Sequence, residues 1–176
     1  MLYSGKGDRG QTEIFGCDQR ISKSSLVVEA LGMLDELNSF LGVCKTKAGG
    51  QSGFSEVLGN IQQDLFIIQA ELAGAEEHIK EEKIKKMEEA INDIEKKLPP
   101  IKTFLISGGT ELSSLLDYAR TLARRAERDS VRVSEEGVQK LSKESLMYLN
   151  RLSSLLYAMA RLINAKSGIK EESPHY

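Results

Sequence analysis

Gly5-Lys-Gly7-Asp-Arg-Gly10 and a row of arginines beginning at Arg120 are the segments of this sequence whose residue types could hold a charged ligand. Closely spaced glycines let backbone N–H groups approach an anion, and Lys6 and Lys23 add positive charge nearby. The spacing matches GxGxxG, but a dinucleotide fingerprint follows a buried strand and opens a helix, and only Met1 to Ser4 precede this one. Nor does it end in the GK[ST] of a P-loop. An anion-binding loop and a plain N-terminal arm both fit. At about 100° per residue, Arg120, Arg124, Glu127, Arg128 and Asp117 share one helical sector beside the apolar Leu116, Ala119, Leu122 and Ala123, while Arg125 and Arg132 point elsewhere. Guanidinium is always charged and presents a rigid fork suited to phosphate or carboxylate. The same row also reads as a surface ladder, Arg124 with Glu127 and Arg120 with Asp117. Asp35 lies in a polar strip with Asn38 and Ser39, either as a solvated charge or as a partner for one of those arginines. Asn150-Arg151 is a polar pair beside an apolar stripe, open between surface and site. His78 and His175 are the two histidines, both in polar stretches, and no ExxH, HExxH or GxSxG occurs. Histidine-metal and serine-hydrolase chemistry therefore have no support. Cys17 and Cys44 lack metal-site spacing and read as buried or incidental thiols.

The elements that must position these groups follow from apolar periodicity. Residues 1–24 are glycine-rich and irregular, with one short strand expected near Thr12 to Phe15 and Ile14 and Phe15 as anchors. So long a loop in a compact chain is expected to be functional. Val27, Leu31, Leu34, Leu37 and Leu41 define a first helix to about Lys47, with Ser24 or Ser25 placed to cap it. Phe54, Leu58, Ile61, Leu65, Ile68 and Leu72 define a second, to about Glu76. Ile84, Met87, Ile91, Ile94 and Leu98 keep helical spacing through the Lys- and Glu-dense stretch from Glu77, a solvated helical face stopped by Pro99-Pro100. A short strand or extended loop, Ile101 to Thr110, leads to a fourth helix from Glu111 to about Ser134. Leu149, Leu152, Leu156, Met159 and Ile163 define a fifth, closed by Ser167-Gly168, with a polar, frayed tail after it. The expected fold is therefore all-α, a five-helix bundle at 25–168 with a loop at 1–24 and a tail at 169–176, in one domain. Its 176 residues suffice for one core. Twenty-four Lys and Arg against 26 Asp and Glu leave a net charge of −2, without the surplus that nucleic acid or an anionic membrane would call for. No apolar run is long enough to span a membrane and no signal-peptide core follows Met1, so a cytoplasmic protein is expected.

Six segments in order resemble the PduO-type ATP:cob(I)alamin adenosyltransferases: Tyr3 to Thr12, Arg20-Ile-Ser-Lys23, Leu34-Asp-Glu-Leu-Asn-Ser39, Phe104-Leu-Ile-Ser-Gly-Gly-Thr110, Ala119 to Arg128, and Leu149-Asn-Arg-Leu-Ser153. The resemblance implies a homotrimer with ATP and a corrinoid at subunit interfaces, and transfer of the 5′-deoxyadenosyl group of ATP to Co(I), giving adenosylcobalamin and inorganic triphosphate. By the same resemblance Ser4, Gly5, Lys6, Gly7 and Thr12 wrap the nucleotide. Lys23 and Arg124 hold the triphosphate with Mg²⁺, itself carried mainly by the phosphates rather than by protein side chains, and Glu127, Arg128 and Asn150 complete the nucleotide site. Asp35 meets Arg120 across the interface, and Phe104 presses on the lower face of the corrin ring. A corrinoid reductase and an adenosylcobalamin-dependent enzyme are the implied partners. The alternative is a non-catalytic ATP- or corrinoid-binding module on the same fold. The chain departs from the family at Ser107, where proline is common, at Ser154, where aspartate is, and at Lys6, often threonine or asparagine.

Overall fold

The computed structural model describes residues 2–14, 20–49 and 53–175. Five helices carry the fold: α1 (Leu26–Lys47), α2 (Phe54–Leu72), α3 (Glu81–Glu95), α4 (Glu111–Glu135) and α5 (Lys143–Lys166). Two three-residue strands, β1 (Gln11–Glu13) and β2 (Arg20–Ser22), pair antiparallel with Thr12 opposite Ile21. Helix α4 packs on both α1 and α5, α2 lies against α1, and α3 against α5. Their apolar stripes meet in one core in which Leu34, Leu37, Leu41, Leu58, Leu65, Ile68, Leu116, Leu149, Leu152 and Leu156 are fully buried.

Several boundaries differ from expectation, each for a local reason. The second helix stops at Leu72 rather than Glu76, because Gly74 takes φ +103 and closes the C-terminus with the Ala75 amide on the Ala70 carbonyl. Residues 77–80 are extended rather than helical, pinned by the buried Ile79, and α3 begins at Glu81. Helix α5 starts at Lys143, earlier than its apolar stripe, because the Ser142 side chain accepts the Ser145 amide as a cap. Ser25 does occupy the cap position of α1, but its hydroxyl is buried without a hydrogen-bond partner. The expected strand at Thr12 to Phe15 is β1, one residue earlier. Phe15 and Cys17 lie outside the described residues, and β2 is too short for its sequence to show a period. The stretch 101–110 is an extended loop. The tail is not frayed: the Ile106 amide donates to the Glu172 carbonyl (2.8 Å), Thr103 and Ser173 hydroxyls meet at 2.7 Å, and the buried Arg161 pairs with Glu171.

Two buried carboxylates cross-link the bundle. Asp64 of α2 accepts from the Tyr148 hydroxyl of α5 (2.8 Å) and pairs with Lys83 of α3. Glu71 of α2 accepts the Ser142 amide (2.5 Å) and the Ser145 hydroxyl, holding the first turn of α5 and so the start of the helix that carries Asn150.

Cys44 is fully buried on α1, and burial raises its thiol from an ordinary 9.0 to about 11. In a Cys17→Ser variant at pH 8, a water-soluble thiol reagent is expected to leave Cys44 unlabelled until denaturant is added; prompt labelling of the folded protein would contradict this burial. The unfolded thiol ionises first, so this group's contribution to stability falls as pH rises from 9.0 to about 11.

Candidate functional site

The N-terminal loop is built by two turns and an arginine brace. Asp8 donates its amide to the Gly5 carbonyl (3.2 Å) and Gly10 donates to that of Gly7 (3.1 Å), with Gly5 at φ +66, a conformation that favours glycine. Lys23, just after β2, donates its amide to the Gly10 carbonyl at 2.9 Å. Its ammonium lies over the loop, 2.9 Å from where a Cβ on Gly7 would stand, so a side chain at position 7 would displace it. Arg20 donates to the carbonyls of Lys6 and Gln11 and stands 3.6 Å from Glu13. This brace carried no sequence signal beyond its place in a short motif. Ser4 accepts the Lys6 amide at 3.4 Å, and Thr12 is half-buried on β1.

On α4 and α5 a cleft of about 350 Å³ is lined by Arg124, Glu127, Arg128, Val131, Arg132, Glu135 and Asn150. Glu127 accepts from the Asn150 side-chain amide at 2.8 Å, and Asn150 in turn accepts from Arg151 at 2.7 Å, which reaches Glu88 of α3 at 2.9 Å. That chain fixes Glu127 through Oε1, and the expected alternative of an Arg124 to Glu127 ladder does not form. Among the described residues the Arg124 guanidinium has no hydrogen bond or ion pair, and Arg128 donates only to the Arg124 carbonyl (3.1 Å). Arg132, expected to point elsewhere, lines the cleft: it stands two turns beyond Arg124, and its long side chain covers the angular drift. Arg125 does point away, to Glu36 at 3.1 Å.

The Asp117 and Arg120 pair forms loosely, at 3.6 Å, with the Arg120 guanidinium 5.7 Å above the Tyr157 ring. Asp117 is buried, which pushes its carboxyl above the usual carboxylate range against the opposing pull of the Gly108 amide and Arg120. Asp117 Oδ1 and Arg120 Nε are both buried without a hydrogen-bond partner. Asp35 is exposed on α1 and pairs with no described residue of its own chain. Phe104, 80% exposed, projects from the loop that joins α3 to α4. Behind it Ser107 helps line a second cavity of about 200 Å³ that reaches Tyr157 and the tail, and Ser154 is exposed on α5. No hydrogen bond or ion pair among the described residues joins the N-terminal loop to the α4 cleft within this chain.

A helical bundle with a glycine loop under Lys23, and a cleft in which Arg124, Arg128 and Arg132 stand beside a fixed Glu127, groups cationic side chains at two separate places on one chain. The family model for cobalamin adenosyltransferase matches residues 2–163. The chain is 40% identical over 175 residues to a corrinoid adenosyltransferase of Bacillus subtilis (strain 168), covering 96% of this chain and 89% of that one. It is 41% identical to the corrinoid adenosyltransferase PduO of Citrobacter freundii over 91% of this chain, spanning 49% of that longer relative. Among solved structures, a variant of the PduO-type ATP:corrinoid adenosyltransferase from Lactobacillus reuteri complexed with cobalamin and ATP superposes with a TM-score of 0.92 at 33% identity, covering 99% of this chain and 97% of that one. A second variant of that enzyme, complexed with ATP, gives a TM-score of 0.91 at 33% identity over 99% and 100% of the two chains. The chain belongs to the cobalamin adenosyltransferase family.

Proposed function

We propose that this protein transfers the 5′-deoxyadenosyl group of ATP to the Co(I) centre of a reduced corrinoid and releases inorganic triphosphate. The observation that carries the proposal is the uncommitted Arg124 guanidinium in a cleft with Arg128 and Arg132, beside a Glu127 held by Asn150. In the reaction Co(I) attacks C5′ of ATP, the bond from C5′ to oxygen breaks, and triphosphate leaves with the electron pair. Charge grows on the leaving oxygen, and fixed cations aimed there lower the barrier. Arg124 and Lys23 supply them, while Ser4, Gly5, Lys6, Gly7 and Thr12 close over the nucleotide. Glu127, Arg128 and Asn150 orient the nucleotide against the attacking cobalt. The donors of the cleft are mainly guanidinium groups, which do not ligate metals, so Mg²⁺ fits best on the triphosphate oxygens, where it neutralises charge. No general base is needed, since the nucleophile is the substrate's metal.

The working form is a homotrimer with the nucleotide between the glycine loop of one subunit and the α4 cleft of its neighbour. The separation of the two half-sites within one chain supports this, as does Arg120, whose side chain is 27% exposed and whose terminal nitrogens, with no hydrogen bond among the described residues, have room for a carboxylate from outside. Asp35 of a neighbouring subunit is that carboxylate. Asp35→Ala is expected to weaken assembly about tenfold, read by light scattering on dilution. A trimer of undiminished stability and full activity would overturn the pairing. Phe104 lies against the lower corrin face in place of the base ligand and eases Co(II) reduction to Co(I). A corrinoid reductase upstream and an adenosylcobalamin-dependent enzyme downstream complete the setting, which is cytoplasmic. Among the described residues no helix is long and apolar enough to cross a membrane.

The test is anaerobic absorbance: chemically reduced cobalamin with MgATP is expected to lose its Co(I) spectrum in a protein-dependent way and yield adenosylcobalamin. ATP binding without conversion would replace the transferase reading with that of a binding module.

A further inference from the structure

Phe104 is 80% exposed, so packing against its own subunit does not set where the ring points. Its position must come from how the backbone of its loop is held. Downstream of Phe104 that backbone is gripped by Asn164 of α5, which is buried. Asn164 Oδ1 accepts the Thr110 amide at 3.1 Å, and its Nδ2 donates to the Gly108 carbonyl at 2.7 Å. From α4, Asp117 accepts the Gly108 amide at 3.2 Å and the Ser113 hydroxyl donates to the Gly108 carbonyl at 3.2 Å. The turn runs so close to Asn164 that a Cβ on Gly109 would stand 2.3 Å from Oδ1, and Gly108 and Gly109 take φ +131 and +115. These φ values strain any other residue. The cap of α4 does not account for Asn164, because the Thr110 side chain already serves as that cap by accepting the Ser113 amide.

We propose that Asn164 is a positioning residue for the corrinoid: by clasping Gly108 and Thr110 it fixes the turn behind Phe104 and so sets the ring against the lower corrin face. The inference rests on the role given to Phe104 above. A side chain that must take the place of an axial ligand has to be held against it, and a tether that yields would let the ligand return. Displacements of about 1 Å remote from the reacting atoms can cost up to about a hundredfold in rate.

A double-mutant cycle with reduced cobalamin and MgATP tests it. Asn164→Ala is expected to lower kcat/KM for the corrinoid about tenfold while the KM for ATP stays within about twofold. In a Phe104→Ala background the same substitution is expected to cost less than about twofold, since there is no ring left to position. With Co(II) cobalamin and ATP bound, Asn164→Ala is also expected to diminish the visible and EPR signature of axial-ligand loss. Asn164→Asp keeps the acceptor for the Thr110 amide but loses the donor to Gly108, and is expected to fall between. If Asn164→Ala does not fold, Gly109→Ala, which drives a methyl group into Asn164, is expected to show the same corrinoid-selective loss and the same dependence on Phe104. Equal proportional losses with and without Phe104, or a parallel rise in the KM for ATP, would overturn the inference while leaving the reading of Phe104 standing. A Phe104→Ala protein as active as the unsubstituted one would overturn that reading and the inference together.

Discussion

Arg124→Ala is expected to lower kcat for adenosyl transfer by about 10²- to 10³-fold, the usual cost of deleting one preorganised donor to a developing anion. The size of the effect follows from where the guanidinium stands. It is exposed on α4, so truncation removes little packing, and it has no partner among the described residues, so no internal ion pair is broken. The triphosphate gains its charge as the bond to C5′ breaks, and a cation in place before that moment acts more on the transition state than on bound ATP. The KM for ATP is accordingly expected to rise by less than kcat falls, and thermal stability to stay unchanged. Arg124→Lys retains charge but loses the planar fork, and is expected to recover only part of the rate. Single-turnover decay of the Co(I) spectrum measures the step directly. A rate within about threefold of the unsubstituted protein would remove Arg124 from the chemistry and leave it as a general attractor of anions.

The arginines were visible in the sequence because chemistry of that kind depends on residue type and helical phase, both of which a sequence displays. Arg120, Arg124, Glu127 and Arg128 needed only a helix. Five apolar stripes made the bundle legible in the same way, and the ends that differ are set by local contacts, the Gly74 turn, the buried Ile79 and the Ser142 cap, rather than by periodicity. The α5 start at Lys143 depends on Ser142 and on Glu71, 71 residues earlier in the chain. Asn164 gave no signal because its partners are 54 and 56 residues away and are backbone atoms, which carry no residue type. Arg20 likewise bonds to carbonyls. Arg132 falls outside the sector given by ideal helical angles because those angles locate Cα atoms, and a side chain of that length is free to turn into a cleft that runs along α4 as far as Glu135. The pairing proposed for Asp35 and Arg120 joins two chains, and helical spacing describes only one.

Asp64→Ala is expected to destabilise the fold by about 3 kcal/mol, because it strands a buried Tyr148 hydroxyl and releases Lys83. For a chain of this size that corresponds to a fall in Tm of roughly 6 to 12 °C at fixed protein concentration. Most of the cost lies with Tyr148, which is 1% exposed and has no other acceptor among the described residues, whereas Lys83 is partly in solvent. Asp64→Asn, which keeps an acceptor for the hydroxyl, is therefore expected to recover more than half of the loss, and Lys83→Ala to cost less than about 1 kcal/mol. Calorimetry or urea unfolding reads all three, and an Asp64→Ala protein melting within about 2 °C of the parent would show that the network does not hold α2, α3 and α5 together. The same variant separates stability from function. Tyr148 and Asn150 are two residues apart on α5 and project to opposite sides of it, one into the core and one onto the α4 cleft. Well below its lowered Tm, Asp64→Ala is expected to keep kcat within about twofold, because the face of α5 that orients Glu127 through Asn150 is not the face that Asp64 secures.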